Sequence, residues 1–123
     1  MRAYENIIKI MMGNSASKLK CMMLIIGGCG LSLEREAHKS VEVLDFSTKS
    51  ESKCSLAIPS RGPTAHLIGQ EVWVIGGCKG PKEHLSEIQI ATISNNSVSD
   101  FQVSDRYRLI KERSCHMSSY SQL

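Results

Sequence analysis

Leu24-Ile25-Ile26-Gly27-Gly28-Cys29-Gly30 returns 49 residues further along the chain as Trp73-Val74-Ile75-Gly76-Gly77-Cys78-Lys79. Each copy is an apolar run that ends on a glycine pair, and a repeat at that interval is a statement about architecture. Units of this kind cannot bury their apolar face alone and become stable by stacking on neighbours. Function in such a chain is to be sought in its loops.

Working outward from the two copies, short β-rich runs bounded by turn residues recur at Ile7 to Met11, Cys21 to Ile26, Ser40 to Asp45, Ser52 to Ala57, Thr64 to Ile68 and Glu71 to Ile75. They continue after the second glycine pair at Glu87 to Ala91, Asp100 to Val103 and a last run from His116 toward Tyr120. This spacing predicts an all-β antiparallel meander. Helical periodicity is limited to a turn or two near Leu31 to Ala37, a stretch that fits a loop as well. Gly69-Gln70 predicts a two-residue hairpin loop with glycine first. Residues 13–20 supply an expanded, exposed loop at the matching place in the first unit. Lys49-Ser50 and Asn95-Asn96-Ser97 read as turns between the outer strands of each unit.

Composition sets limits. With 123 residues, 41% of them apolar, the chain has the size and make-up of one globular domain. The net charge of +3 is spread among interspersed acids and bases, so nucleic acid is not an expected partner. Arg106-Tyr107-Arg108 is too short for a stacking platform and reads as a solvated connection. Five cysteines, Cys21, Cys29, Cys54, Cys78 and Cys115, form an odd set without compact spacing. That favours reduced thiols, packed as small hydrophobes in a cytoplasmic chain. The apolar run Cys21 to Ile26 falls far short of the ~20 residues of a membrane helix and makes a poor signal peptide, so no membrane partner is expected.

The usual chemical signatures are weak. Gly28 and Gly30 invite a dinucleotide fingerprint, but Leu33 stands where the third glycine belongs, Pro81 interrupts the second copy and no βαβ alternation surrounds either. Cys115 and His116 are adjacent, while Cys29, His38, Cys78 and His84 lie in separate loops, a spacing unlike a zinc site. His66 reads as a strand residue. Cys29 or Cys78 as a nucleophile needs a positioned base that the sequence does not specify, and its appearance in both copies argues for the repeat. No catalytic residue, metal or cofactor is expected.

The strands closing on Ile-Gly-Gly, the segment Val41-Glu42-Val43-Leu44-Asp45 and the link Leu56-Ala57-Ile58-Pro59-Ser60-Arg61 together resemble kelch repeats, most closely over Pro59 to Gly77. The resemblance implies a partial kelch-type β-propeller built of four-stranded antiparallel meander blades, with repeats at about 1–60 and 61–112 and the start of a third at 113–123. The chain departs from the family at Leu44 and Ala91, where a tyrosine is usual, and at Cys54 and Phe101, where a tryptophan is. Between these last two the offset shortens to 47, a two-residue loop difference. Gly27, Gly28, Gly76 and Gly77 are read as structural: they stand where a neighbouring connection passes close, with φ positive. By the same resemblance Arg61, and by weaker analogy Arg113, reach to carbonyls or acids of adjoining strands.

What the resemblance implies for function is a non-enzymatic protein-binding module whose post-glycine loops and links line one face. Cys29, Arg35, Lys39, Cys78, Lys79, Lys82 and His84 are the partner-binding candidates, and the cationic ones suit an acidic peptide. Many such proteins are substrate receptors for cullin-type ubiquitin ligases through a separate BTB domain, which these residues do not contain. The alternative is a fragment of a propeller enzyme, an oxidase or a sugar-processing enzyme, with its active site on the loop face. A stand-alone dinucleotide binder is a third reading that helical content would reveal. About two and a half units are too few to close a ring, so self-association through unpaired strand edges, or a larger parent protein, is expected.

Overall fold

The computed structural model describes residues 6–13, 19–29, 36–80 and 82–121. The strands are β1 (Asn6–Gly13), β2 (Leu19–Ile26), β3 (Ser40–Asp45), β4 (Ser50–Ser55), β5 (Thr64–Ile68), β6 (Glu71–Ile75), β7 (Cys78–Gly80), β8 (Glu83–His84), β9 (Glu87–Ser94), β10 (Ser97–Val98) and β11 (Gln102–Arg108). All pairings between them are antiparallel, and no helix occurs among the described residues. The first sheet runs β1-β2-β3-β4 in chain order. The second runs β5-β6-β9, with β10 and β11 both paired to β9, and β7-β8 is a separate small hairpin. The all-β expectation therefore holds.

Local chemistry explains the elements. In β3 the side chains alternate inward and outward along Ser-Val-Glu-Val-Leu-Asp, the period of a strand with one face packed. Gly69 (φ 62°) forms the tight turn that pairs Ile68 with Glu71, as expected. Asn95 (φ 49°) and Asn96 (φ 66°) are both left-handed, the requirement of a two-residue hairpin turn, which asparagine tolerates better than most residues. At the start of β4, Lys49 takes φ 55°.

Several expectations need correction. Arg106-Tyr107-Arg108 belongs to β11 and not to a connection. There Ser104 Oγ accepts from the Arg106 and Tyr107 amides, at the place where the pairing register shifts. Residues 116–120 form no strand. Gly13, Leu19 and Lys20, read as loop, end β1 and begin β2; residues 14–18, and 30–35 in the segment near Leu31, lie outside the described residues. The hairpin β7-β8 and the short β10 carry too few residues to show a period and were not anticipated.

The core lies between the sheets. Met22, Leu24, Ile26, Val41 and Val43 of the first pack with Val72, Val74, Ala91, Ile93 and Phe101 of the second. Each fully buried aliphatic side chain of this kind stabilises by roughly 1.5–3 kcal/mol relative to exposure. Phe101 and the half-buried Cys54 both pack there, whereas Leu44 faces the other side of the first sheet. With the 49-residue offset, Leu24 corresponds to Trp73 and Met23 to Val72. The first sheet buries Leu24 and the second buries Val72, so opposite faces of equivalent sheets meet. The two units stack head to tail.

Candidate functional site

The glycine pairs build the same turn twice. Gly27 and Gly28 have φ 64° and 94°, and Gly76 and Gly77 have φ 67° and 99°. In the first unit the Gly27 amide donates to Ser40 O (3.1 Å), Gly28 to Ser60 O (3.0 Å) and His38 to Gly28 O (2.8 Å). In the second, Gly76 donates to Glu87 O (3.1 Å), Gly77 to Arg113 O (2.9 Å) and Leu85 to Gly77 O (2.8 Å). A Cβ at Gly27 would fall on the Ser60 carbonyl oxygen, one at Gly77 on Ser60 Oγ, and one at Gly76 would sit 2.7 Å from Arg113 O. The close passage expected of a connection beside the glycines is present in both units.

This pattern also corrects an equivalence. Ser60 and Arg113 accept the same bond, so Arg113 matches Ser60 and Ser114 matches Arg61. The exposed Arg113 side chain reaches no adjoining strand; its Nε donates at 3.5 Å to Lys111 O.

Arg61 ties the two post-glycine loops together. Its amide donates to Cys78 O (3.0 Å) and its carbonyl accepts from Cys78 N (2.8 Å), while Nε donates to Cys78 Sγ at 2.8 Å. Its side-chain partner is therefore a thiol, where a carbonyl or an acid was expected. The bond to Cys78 foremost, with Cys29 adding a smaller share, raises the guanidinium pKa above its ordinary value against the opposing effect of desolvation. Both sulfurs interact with one arginine, which gives the repeated cysteine a reason beyond size. Cys29 and Cys78 are buried, so as thiols they serve the frame of the loops and offer a partner no surface. Among the other thiols, burial, and secondarily the Asp100 carboxylate, pushes Cys54 up to about 11.

The remaining candidates divide clearly. Lys79, Lys82 and His84 are all exposed on the β7-β8 hairpin, with Lys82 at φ 72° in its turn. Lys79 Nζ lies 4.0 Å from Glu83 Oε2, a solvated pair of small energetic consequence. His84 Nδ1 lies 2.9 Å from Ser114 Oγ, which places the hairpin against the link that follows the second sheet. Lys39 is exposed just before β3, next to His38, whose carbonyl accepts from Ser60 N. Arg35 lies outside the described residues. The signal that could have revealed the hairpin is Gly80-Pro81, a turn dipeptide directly after the glycine-pair motif. Among the described residues no three His, Cys, Asp or Glu side chains gather as a metal ion would require.

A second polar cluster fastens the C-terminal segment to β5. His116 Nε2 lies 3.0 Å from Thr64 Oγ1, Ser118 Oγ donates to Thr64 Oγ1 at 2.6 Å, and His66 Nε2 lies 2.5 Å from Ser118 Oγ. His116 Nδ1 is buried without a partner. Burial first, and the Arg113 charge second, lower the His116 pKa below its ordinary 6.5. Below that ordinary value the released segment binds protons more readily than the docked one. Docking is therefore fully supported above it and is lost as the pH falls through the lowered value. Amide hydrogen exchange across 113–118, corrected for intrinsic rates, should be slow at pH 7 and faster at pH 5; equal protection would show that His116 plays no part.

No described helix is long and apolar enough to cross a membrane. No protein-family model matches the chain, and no curated protein matches it.

Proposed function

We propose that the chain is part of a kelch-type β-propeller that works as a non-enzymatic protein-binding module, taking an acidic peptide on its loop face. The fold reading is supported by two meander sheets with the same glycine-pair turn, the same link hydrogen bonds and head-to-tail stacking. The binding reading rests on one observation, the β7-β8 hairpin that presents Lys79, Lys82 and His84 outward beside the following link. Arg61 and the two buried cysteines make the base of these loops rigid, so little ordering cost is left for binding. The cations would steer an acidic partner in and select it over neutral ones more than they would add affinity. Such a surface suits the substrate-recognition part of a kelch-type ubiquitin ligase adaptor in the cytoplasm, where the free cysteines stay reduced.

The test is fluorescence anisotropy with a labelled Asp/Glu-rich peptide and a neutral peptide of equal length. Preference for the acidic peptide, falling as salt is raised, is expected, and Lys79→Glu with Lys82→Glu should weaken it roughly tenfold or more. Capture that ignores both salt and charge reversal would sink the reading.

A further inference from the structure

The head-to-tail stacking leaves two open faces that are the counterparts of the two faces already joined. In the second sheet Trp73 and Ile75 occupy the places of Leu24 and Ile26, and Ile88 and Ile90 those of Val41 and Val43. Trp73 is only half-buried, and Tyr107, stacked on it with centroids 5.2 Å apart, is 43% exposed. In the first sheet Met23 and Ile25 hold the places of the buried Val72 and Val74, and Leu44 that of Ala91. Phe46, 52% exposed, holds the place of the core residue Ile93. The free face of the second sheet thus repeats the surface that the first sheet offers to it, and the free face of the first repeats the surface that receives.

A polar key makes the match specific. Within the chain, buried Gln89 of the receiving face reads the link: its Oε1 accepts from the Ala57 amide (2.8 Å) and the Ile58 amide (2.9 Å), and its Nε2 donates to Ile58 O (3.0 Å). The repeat puts Glu42 in the place of Gln89. The link bonds Leu56 N to Lys39 O and Leu109 N to Ser86 O put Ile110 and Lys111 in the places of Ala57 and Ile58. The Ile110 and Lys111 amides have no hydrogen-bond acceptor among the described residues, and the Ile110 side chain is fully exposed. A carboxylate has two acceptor oxygens and no donor, which serves two amides. The carbonyl that it cannot serve, Lys111 O, already accepts from Arg113 Nε.

We propose that the open face of the second sheet docks the open face of the first sheet of a second copy of this chain, with the copy's Glu42 carboxylate on the Ile110 and Lys111 amides. The proposal rests on the repeat equivalence behind the propeller reading. The contact is heterologous, so it propagates around a ring and does not stop at a two-fold pair. In the docked arrangement β1 of the copy comes beside β5, where residues 116–118 are held by side-chain hydrogen bonds, and it displaces them.

Sedimentation velocity on the full chain over a concentration series tests this, with far-UV circular dichroism confirming the β fold of each variant. The expected result is concentration-dependent association that Glu42→Gln, which keeps an acceptor, leaves within about twofold. Glu42→Lys should weaken it roughly tenfold or more. Ser118→Ala, which loosens the competing segment, should strengthen it. A folded chain that stays monomeric, or association indifferent to Glu42→Lys, overturns the proposal. The acidic-peptide assay separates the two readings: a monomer that binds the peptide removes only the docking, and an assembly that ignores the peptide removes only the loop-face function.

Discussion

Gly27→Ala is expected to cost about 3–5 kcal/mol, enough to leave a domain of ordinary stability, roughly 5–15 kcal/mol, barely folded. Two costs combine. A left-handed φ of 64° penalises any L side chain by about 1–2 kcal/mol. The added methyl also falls on the carbonyl oxygen of Ser60, which is backbone and cannot swing aside as a side-chain tip would. Ser60 is fixed from several directions: its carbonyl accepts from Gly28 N, its amide donates to His38 O, and its hydroxyl donates to Gly76 O (3.0 Å) in the next unit. Moving it would disturb both glycine turns together. Gly69→Ala is the control, because Gly69 has nearly the same φ, 62°, with open space around it. It should lose only the conformational part, about 1–2 kcal/mol. Urea denaturation of the two variants measures the difference. Equal losses would mean that the close approach at Ser60 contributes nothing and that conformation alone selects glycine at position 27.

Gly27 was legible in the sequence because the constraint on it is local and repeated: an apolar run that ends twice on two glycines needs both a turn and a close neighbour. Strands β3, β5 and β6 were legible in the same way, each bounded by turn residues and rich in β-formers. What could not be read was the facing of each strand. Leu24-Ile25-Ile26 and Val72-Trp73-Val74-Ile75 are apolar on both sides, as strands packed on two faces are, and so carry no alternation to say which set meets the core. Arg61 illustrates a different gap. Its partner, Cys78, lies 17 residues away in another loop, and nothing in the spacing distinguishes a thiol from the carbonyls that a guanidinium more often meets. The loop cations were found by composition near the glycine pair. The hairpin that collects Lys79, Lys82 and His84 was not, since β8 is only two residues long.

Gln89 is the clearest residue that the sequence conceals, and Gln89→Leu is expected to destabilise by about 2–4 kcal/mol. A glutamine flanked by Ile88 and Ile90 reads as the outward, polar position of a strand, yet its side chain is 1% exposed. Its value lies in the link 31 and 32 residues earlier, where one amide group serves two donors and one acceptor of the backbone. Leucine matches the bulk and leaves those three groups with no partner on this side. Each group left unpaired inside a protein costs about 1–3 kcal/mol, reduced here because Ala57 is exposed enough for its amide to find water. Gln89→Glu separates hydrogen bonding from packing. Its carboxylate still accepts from the Ala57 and Ile58 amides but turns an acceptor toward Ile58 O, and burial with that repulsion raises its pKa. An acid whose folded pKa is raised contributes stability at low pH and loses it as the pH rises through that value. The Gln89→Glu chain should therefore unfold at a lower urea concentration than the parent at pH 7 and recover part of the gap at pH 5, where the protonated acid donates to Ile58 O. Gln89→Leu should keep its full deficit relative to the parent at both values. If the two variants respond alike to acid, Gln89 acts by filling space and not by holding the link.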